Sequence, residues 1–241
     1  MSAGISLILP YYERQKATNE SMLLLAEHYH DKALEIVVVD DGSPVPFYAS
    51  PALPLDVKVV RLPTKEFPLN PSVPYNRGVA ESKGEYIALS NPEILHRKPV
   101  LERMLAKALE EGENAYVMAA CWCEEQKRWH AHSTKSRSDS IDVGSYVPKG
   151  ADYHFMTLMH KSLWNKTGGF DEEYRSGAGY DDPDFVRRLD RAGAKFFMCD
   201  DLVVEHPRRG ARADWTGEMF ARNRALFLSK WKPMERQVCS T

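Results

Sequence analysis

Short apolar runs alternate with amphipathic stretches along the first half of the chain. Ile5-Ser6-Leu7-Ile8-Leu9 reads as a buried strand that ends at Pro10, and residues 17–31 carry Met22, Leu25, Ala26 and Tyr29 at helical spacing. "LEIVVVDDGS" is a second strand, β-branched and continuous, as a strand covered on both faces requires. "DVKVVRL" predicts a third strand, "PYNRGVAESKG" a short helix closed by Gly84, and "EYIAL" a fourth strand. A helix over 99–111 and a strand "AYVMAACW" follow. This alternation predicts an α/β fold with a mostly parallel, Rossmann-like central sheet flanked by helices.

The second half is less regular. Residues 133–150 are rich in Ser, Lys, Arg, Asp and Gly and read as a mobile loop. "DYHFMTLMH" is strand-like, and "KFFMCDDLVVEH" holds one or two further strands. A last helix over about 214–231 carries Trp215, Met219, Phe220, Asn223, Phe227 and Trp231 on or near one face. Neither a repeat nor a clean linker appears, so the chain reads as one domain over 1–241, with a nucleotide-binding half (1–97) and an acceptor-binding half (98–241).

Bulk composition narrows the function. At 241 residues the chain buries a sizeable core, and 43% hydrophobic with 27% charged residues is ordinary for a globular protein. A net charge of −2 leaves no electrostatic footprint for nucleic acid. No apolar run has the length of a membrane span, and the N-terminus lacks a signal-peptide pattern. Cys121, Cys123, Cys199 and Cys239 have no metal-ligand spacing and read as small core residues. The expectation is a cytoplasmic protein, with the basic, aromatic last helix available to a membrane surface or a partner.

Candidate chemistry collects where strands end. The first strand finishes in Pro10-Tyr11-Tyr12-Glu13, the second in Asp40-Asp41-Gly42-Ser43 and the fourth in Asn91-Pro92-Glu93. In a parallel sheet these ends share one edge and converge on one crevice. Asp40 and Asp41 have the chemistry to accept from a base N–H or a ribose hydroxyl, although "DDGS" is also an ordinary turn signal. Asn76 and Arg77 lie in the short helix, and Arg77 is either a phosphate contact or a solvated helical residue. Further on, "GYDDPDF" predicts a helix with Asp182 as N-cap and Pro183 at its first position. Two adjacent carboxylates exceed what capping needs, which makes Asp182, or Asp181 in reserve, a candidate general base. His206 ends the last strand beside Arg208, Arg209 and Arg212, either a structural histidine or part of a metal or phosphate site.

In this order the motifs resemble the nucleotide-sugar glycosyltransferases of the GT-A fold, specifically the large inverting family 2. "SLILPYYER", "IVVVDDGS", "NRGVAESKGEYIAL" and "TGGFDEEY…GYDDPDFVRRLDRAG" carry the likeness, over roughly residues 4–210. The resemblance implies sugar transfer from a nucleoside diphosphate sugar to an acceptor hydroxyl on a glycan or small molecule. It implies that Pro10, Tyr11, Glu13, Asp40, Asp41, Asn76, Arg77, Asn91, Arg208 and Arg212 hold the donor, with Asp182 as base. It further implies a divalent cation, Mn²⁺ or Mg²⁺, at Glu93 and His206. Where the family has Asp-x-Asp, this chain has Asn91-Pro92-Glu93, so the cation is expected to bind weakly, because one formal charge is missing. Two rivals follow: a non-catalytic sugar-nucleotide or glycan binder, and a nucleotidyltransferase, which the absence of a Gly-rich loop after the first strand opposes.

Overall fold

The computed structural model describes residues 4–31, 33–63, 70–134, 154–207 and 216–231. Its centre is one mixed sheet with the strand order β3-β2-β1-β4-β7-β5-β6, and β8 pairs with β5. Strands β1 (Ile5–Tyr11), β2 (Leu34–Asp40), β3 (Asp56–Arg61) and β4 (Tyr86–Ser90) are mutually parallel. Their continuous apolar runs are buried throughout β2 and β4, because helices cover both faces.

Side chains alternate across the strands and build two cores. Leu7, Leu9, Ile36 and Val38 meet α1 (Gln15–Tyr29) and α3 (Leu101–Glu111) through Met22, Leu25, Leu101 and Met104. Ile8, Val37 and Val39 face the other way, onto α2 (Ser72–Glu81), α4 (Lys161–Thr167) and α5 (Asp181–Arg191). Helix α2 approaches so closely that a Cβ on Gly78 would lie 2.3 Å from Ile8 Cγ2, and only glycine fits there.

In the second half the strand-like "FMTLMH" is β7 (Met156–His160), antiparallel to both β4 and β5 (Ala115–Cys123). The segment "KFFMCDDLVVE" forms one strand, β8 (Lys195–Glu205), parallel to β5 with a register shift at Ala119/Ala120. Strand β6 (Arg128–Ala131) closes a hairpin with β5. The loop expected over 133–150 lies, beyond Thr134, outside the described residues.

Helix α6 (Gly217–Lys230) starts at Thr216, whose hydroxyl accepts from the Met219 amide. Its aromatic face turns inward: Phe227 and Trp231 are buried, and Asn223 donates to the carbonyls of Tyr174 and Gly179 at 3.0 and 2.8 Å. No helix of the described residues is long and apolar enough to cross a membrane.

Candidate active site

Parallel pairing sets the site's first wall. Tyr11 lies opposite Asp40 in the β1–β2 register, and Ile8 opposite Leu89 in β1–β4, so the three polar strand ends share one edge. Several expected donor contacts are engaged inside the protein there. Asp40 is fully buried and accepts from the amides of Ser43 (2.8 Å) and Phe47 (2.9 Å) and from the Arg61 guanidinium (2.5 Å). It shapes the "DDGS" turn rather than presenting a carboxylate outward. Tyr11 is buried with its ring 4.7 Å from that of Phe47, and Tyr12 is buried as well. Pro10 is half-buried beside them. Asp41, also buried, extends the ladder through its amide to the Tyr11 carbonyl (2.8 Å). Glu13 is exposed with a left-handed φ of 49°, and its amide donates to Ser43 Oγ at 3.1 Å.

Asn76 ties α2 to the segment after α4: its amide group donates to the Phe170 carbonyl and accepts from the Phe170 N–H, at 2.9 and 2.8 Å. Arg77 is exposed and pairs with Glu81 one turn on, at 3.0 Å. Both residues line an open cleft of about 600 Å³ with Arg61, Val73 and Glu172.

The end of β4 forms the floor. Leu95 and Glu205 exchange backbone hydrogen bonds of 2.8 and 3.1 Å, pinning the segment after Glu93 to the end of β8. That bridge brings the two expected metal ligands together, with His206 Nε2 3.6 Å from Glu93 Oε1. Ser21 of α1 donates to the Ile94 carbonyl at 2.6 Å, which draws the start of α1 over the same floor. Arg14 consequently forms an ion pair with the same Glu93 oxygen. Glu93 is buried, Asn91 half-buried.

The donor set does not fit a resident cation. One carboxylate already holds a guanidinium, Asn91 offers a neutral amide, and the described residues contain no group of three His, Cys, Asp or Glu able to hold a metal. Arg208, Arg209 and Arg212 lie outside the described residues.

The acid pair forms the opposite wall. The expectation of Asp182 as N-cap is corrected here: α5 starts one residue earlier at Asp181, with Tyr180 at the cap position and no side-chain cap. Gly179 and Tyr180 are both left-handed (φ 64° and 69°), and the chain turns sharply before the two carboxylates. For tyrosine that conformation is strained. Packing holds it, with Phe227 5.7 Å from the Tyr180 ring, and Trp231 Nε1 donating to Asp184 at 2.7 Å. Asp181 is buried, and burial pushes its carboxyl well above the usual range, opposed by the Asn70 side chain and the N–H groups of the helix start. Asp182 is half-exposed by comparison.

Three residues at this site escaped the sequence reading. Tyr75 is buried, with its hydroxyl donating to the Ser90 carbonyl at 3.4 Å and its ring stacked 5.0 Å from Phe170, and its phenol is pushed up first by burial and then by Asp182 and Asp181. Its only signal was apolar spacing with Val79. His154 is buried between Tyr116 and Asp182: Nδ1 meets the Tyr116 hydroxyl, and Nε2 lies 3.6 Å from Asp182 Oδ1. A Tyr116 O–H donated to Nδ1 leaves the ring proton on Nε2, aimed at Asp182. Arg14, the third, stood unremarked beside Glu13.

Burial holds His154 down to about 3 and His96, also buried, down to about 4. Both rings stay neutral in the folded chain but charge when it unfolds, so stability falls as pH drops below about 6.5. Each histidine contributes up to ~1.4 kcal/mol per pH unit. Asp181, raised to about 6, acts in the opposite sense from about pH 6 downwards and offsets part of the decline of the two histidines, and the raised Asp184 acts in the same sense as Asp181. Urea denaturation between about pH 7 and pH 5 is expected to show this decline, and His96→Leu to flatten it. An unchanged slope in His96→Leu would refute the assignment.

A family profile described as "Glycosyl transferase family 2" matches residues 6–168, more than half of the 241 residues. The chain belongs to glycosyl transferase family 2. The family match stops before Asp181, Asp182 and His206, so their roles rest on geometry. TarS of S. aureus in complex with UDP-GlcNAc is similar in fold, with a TM-score of 0.68 at 17% identity over 94% of this chain and 66% of that one. A longer TarS structure gives 0.66 at 18%, and this chain, 94% covered, spans only 39% of it. The mannosyltransferase PcManGT of Pyrobaculum calidifontis, solved with GDP-Man and Mn²⁺, gives 0.59 at 18% over 95% of this chain and 62% of that one. At these identities the likeness to both establishes the fold. No curated protein sequence matches the chain.

Proposed function

We propose that this family 2 chain is an inverting glycosyltransferase that moves a sugar from a nucleoside diphosphate sugar to an acceptor hydroxyl, in glycan or polysaccharide synthesis. The observation that carries the reading is the alignment of the polar strand ends along one sheet edge, where Tyr11 lies opposite Asp40 and the β4 end is bridged to the β8 end at Leu95–Glu205. A donor laid along the strand ends reaches Asp182 with its sugar, in a donor half (1–97) facing an acceptor half (98–241). The TarS and PcManGT complexes contain nucleotide sugars, which supports this donor class.

Asp182 takes the proton from the acceptor hydroxyl as its oxygen attacks the anomeric carbon. The bond from that carbon to the diphosphate breaks on the opposite face, and its electron pair leaves with the diphosphate. The half-exposed Asp182 suits contact with an acceptor better than the buried Asp181. His154, held neutral by burial, packs beside the Asp182 carboxylate with Nε2 3.6 Å from Oδ1. Asp41 binds the nucleoside, while Asp40 and Asn76 shape the walls around it. No step here runs through a metal ion, because the described donors do not fit one.

Thermal shift with UDP and GDP tests donor binding, since a ligand of the native state raises its stability. Asp41→Ala is expected to remove most of that shift, because its partner lies on the nucleoside. An unchanged shift would displace the nucleoside from the β2 end. The second reading, a non-catalytic sugar-nucleotide binder, is favoured by Asn91 standing where the family expects a metal-binding carboxylate. Such a chain would bind nucleotide and release none from a donor sugar.

A further inference from the structure

We propose that Arg14, held by Glu93 beside His206, meets the charge of the donor diphosphate in the place where the family resemblance puts a divalent cation. The proposal rests on the donor-binding reading above. Arg14 closes the segment between β1 and α1, at the cap position of the helix, and Ser21 anchors that helix to the Ile94 carbonyl at 2.6 Å. Its guanidinium pairs with Glu93, whose side chain is only 5% exposed against 27% for Arg14. Glu93 is thereby already neutralised by a cationic side chain. A metal ion at the same oxygen would sit against that guanidinium and be repelled.

Charge supports the substitution. An Asp-x-Asp pair with a divalent cation is neutral overall, and so is Glu93 with Arg14. One carboxylate fewer, at Asn91, matches one positive charge fewer. A guanidinium presents five N–H donors in a planar fork, so those not turned to Glu93 remain for phosphate oxygens. His206 Nε2 lies 3.6 Å from the same Glu93 oxygen, Oε1.

The two accounts differ in sign for one variant. If Glu93 held a metal, Glu93→Gln would weaken diphosphate binding. If it holds Arg14, the same change leaves binding intact or tightens it by releasing the guanidinium. Calorimetric titration of UDP and GDP is run in excess EDTA and again at saturating Mn²⁺. Equal affinity under both conditions is expected, with roughly ten- to hundredfold weakening in Arg14→Met and less in Arg14→Lys. Should Arg14→Met fail to fold with Glu93 left unpaired, the double variant Arg14→Met/Glu93→Gln removes both charges and must show the same weakening. Mn²⁺ tightening the wild type by about tenfold or more, or Glu93→Gln weakening it as Arg14→Met does, would overturn the proposal alone. No binding of either nucleotide by the wild type would overturn the donor-binding reading as well.

Discussion

Asp182→Asn is expected to lower the transfer rate by roughly 10²- to 10⁴-fold, the range a positioned general base contributes. The amide has the shape of the carboxylate but cannot take a proton from the acceptor. The fold should tolerate it, since α5 begins at Asp181 with no side-chain cap to lose. Nucleoside diphosphate affinity should stay at the wild-type level, because the base contacts the acceptor and not the donor. Rates and UDP affinity measured side by side separate these effects. Asp181→Asn is the control, and its buried carboxyl makes it the more structural of the two. A wild-type rate in Asp182→Asn with a dead Asp181→Asn would transfer the role to Asp181.

Asp40→Ala should have a comparably large effect of a different kind, destabilising the chain by about 2–5 kcal/mol. The substitution strands the buried amides of Ser43 and Phe47 and leaves Arg61 without its carboxylate. The two amides then lack that acceptor in a place water reaches poorly, while Arg61 keeps its hydrogen bond to the Ser43 carbonyl. Asp40→Asn keeps one acceptor and should lose less. Urea denaturation distinguishes this outcome from a simple loss of nucleotide affinity. A variant as stable as wild type but unable to bind UDP would restore Asp40 to the nucleoside.

The parallel half of the fold was legible in the sequence because β1, β2 and β4 are covered on both faces. Continuous runs such as Leu34–Asp40 have no other use, and helical spacing located α1 and α3 within a few residues. The antiparallel direction of β7 left no trace, since strand direction depends on the connection and residues 135–153 carry no helical pattern. At the site, polar residues at strand ends announced themselves by contrast with the apolar run before them. Their partners did not: Arg14 meets Glu93 across 79 positions, and His154, ahead of β7, lies 3.6 Å from Asp182 in the first turn of α5. Asp40 shows a related limit, since a carboxylate that binds its own turn and one that binds a ribose look alike in sequence. The shift of the α5 start from Asp182 to Asp181 follows from Tyr180, whose left-handed turn no propensity favours.

The central claim is that the strand ends and Asp182 together transfer a sugar from a nucleoside diphosphate donor. It is tested most directly by incubating the wild-type chain and Asp182→Asn with a panel of UDP- and GDP-sugars, in excess EDTA, scoring released nucleoside diphosphate. Release from at least one donor by the wild type, nearly lost in Asp182→Asn, is the expected result. Nucleotide binding without release from any donor, with Mn²⁺ restored as well as without it, would contradict the account and mark the chain as a binder.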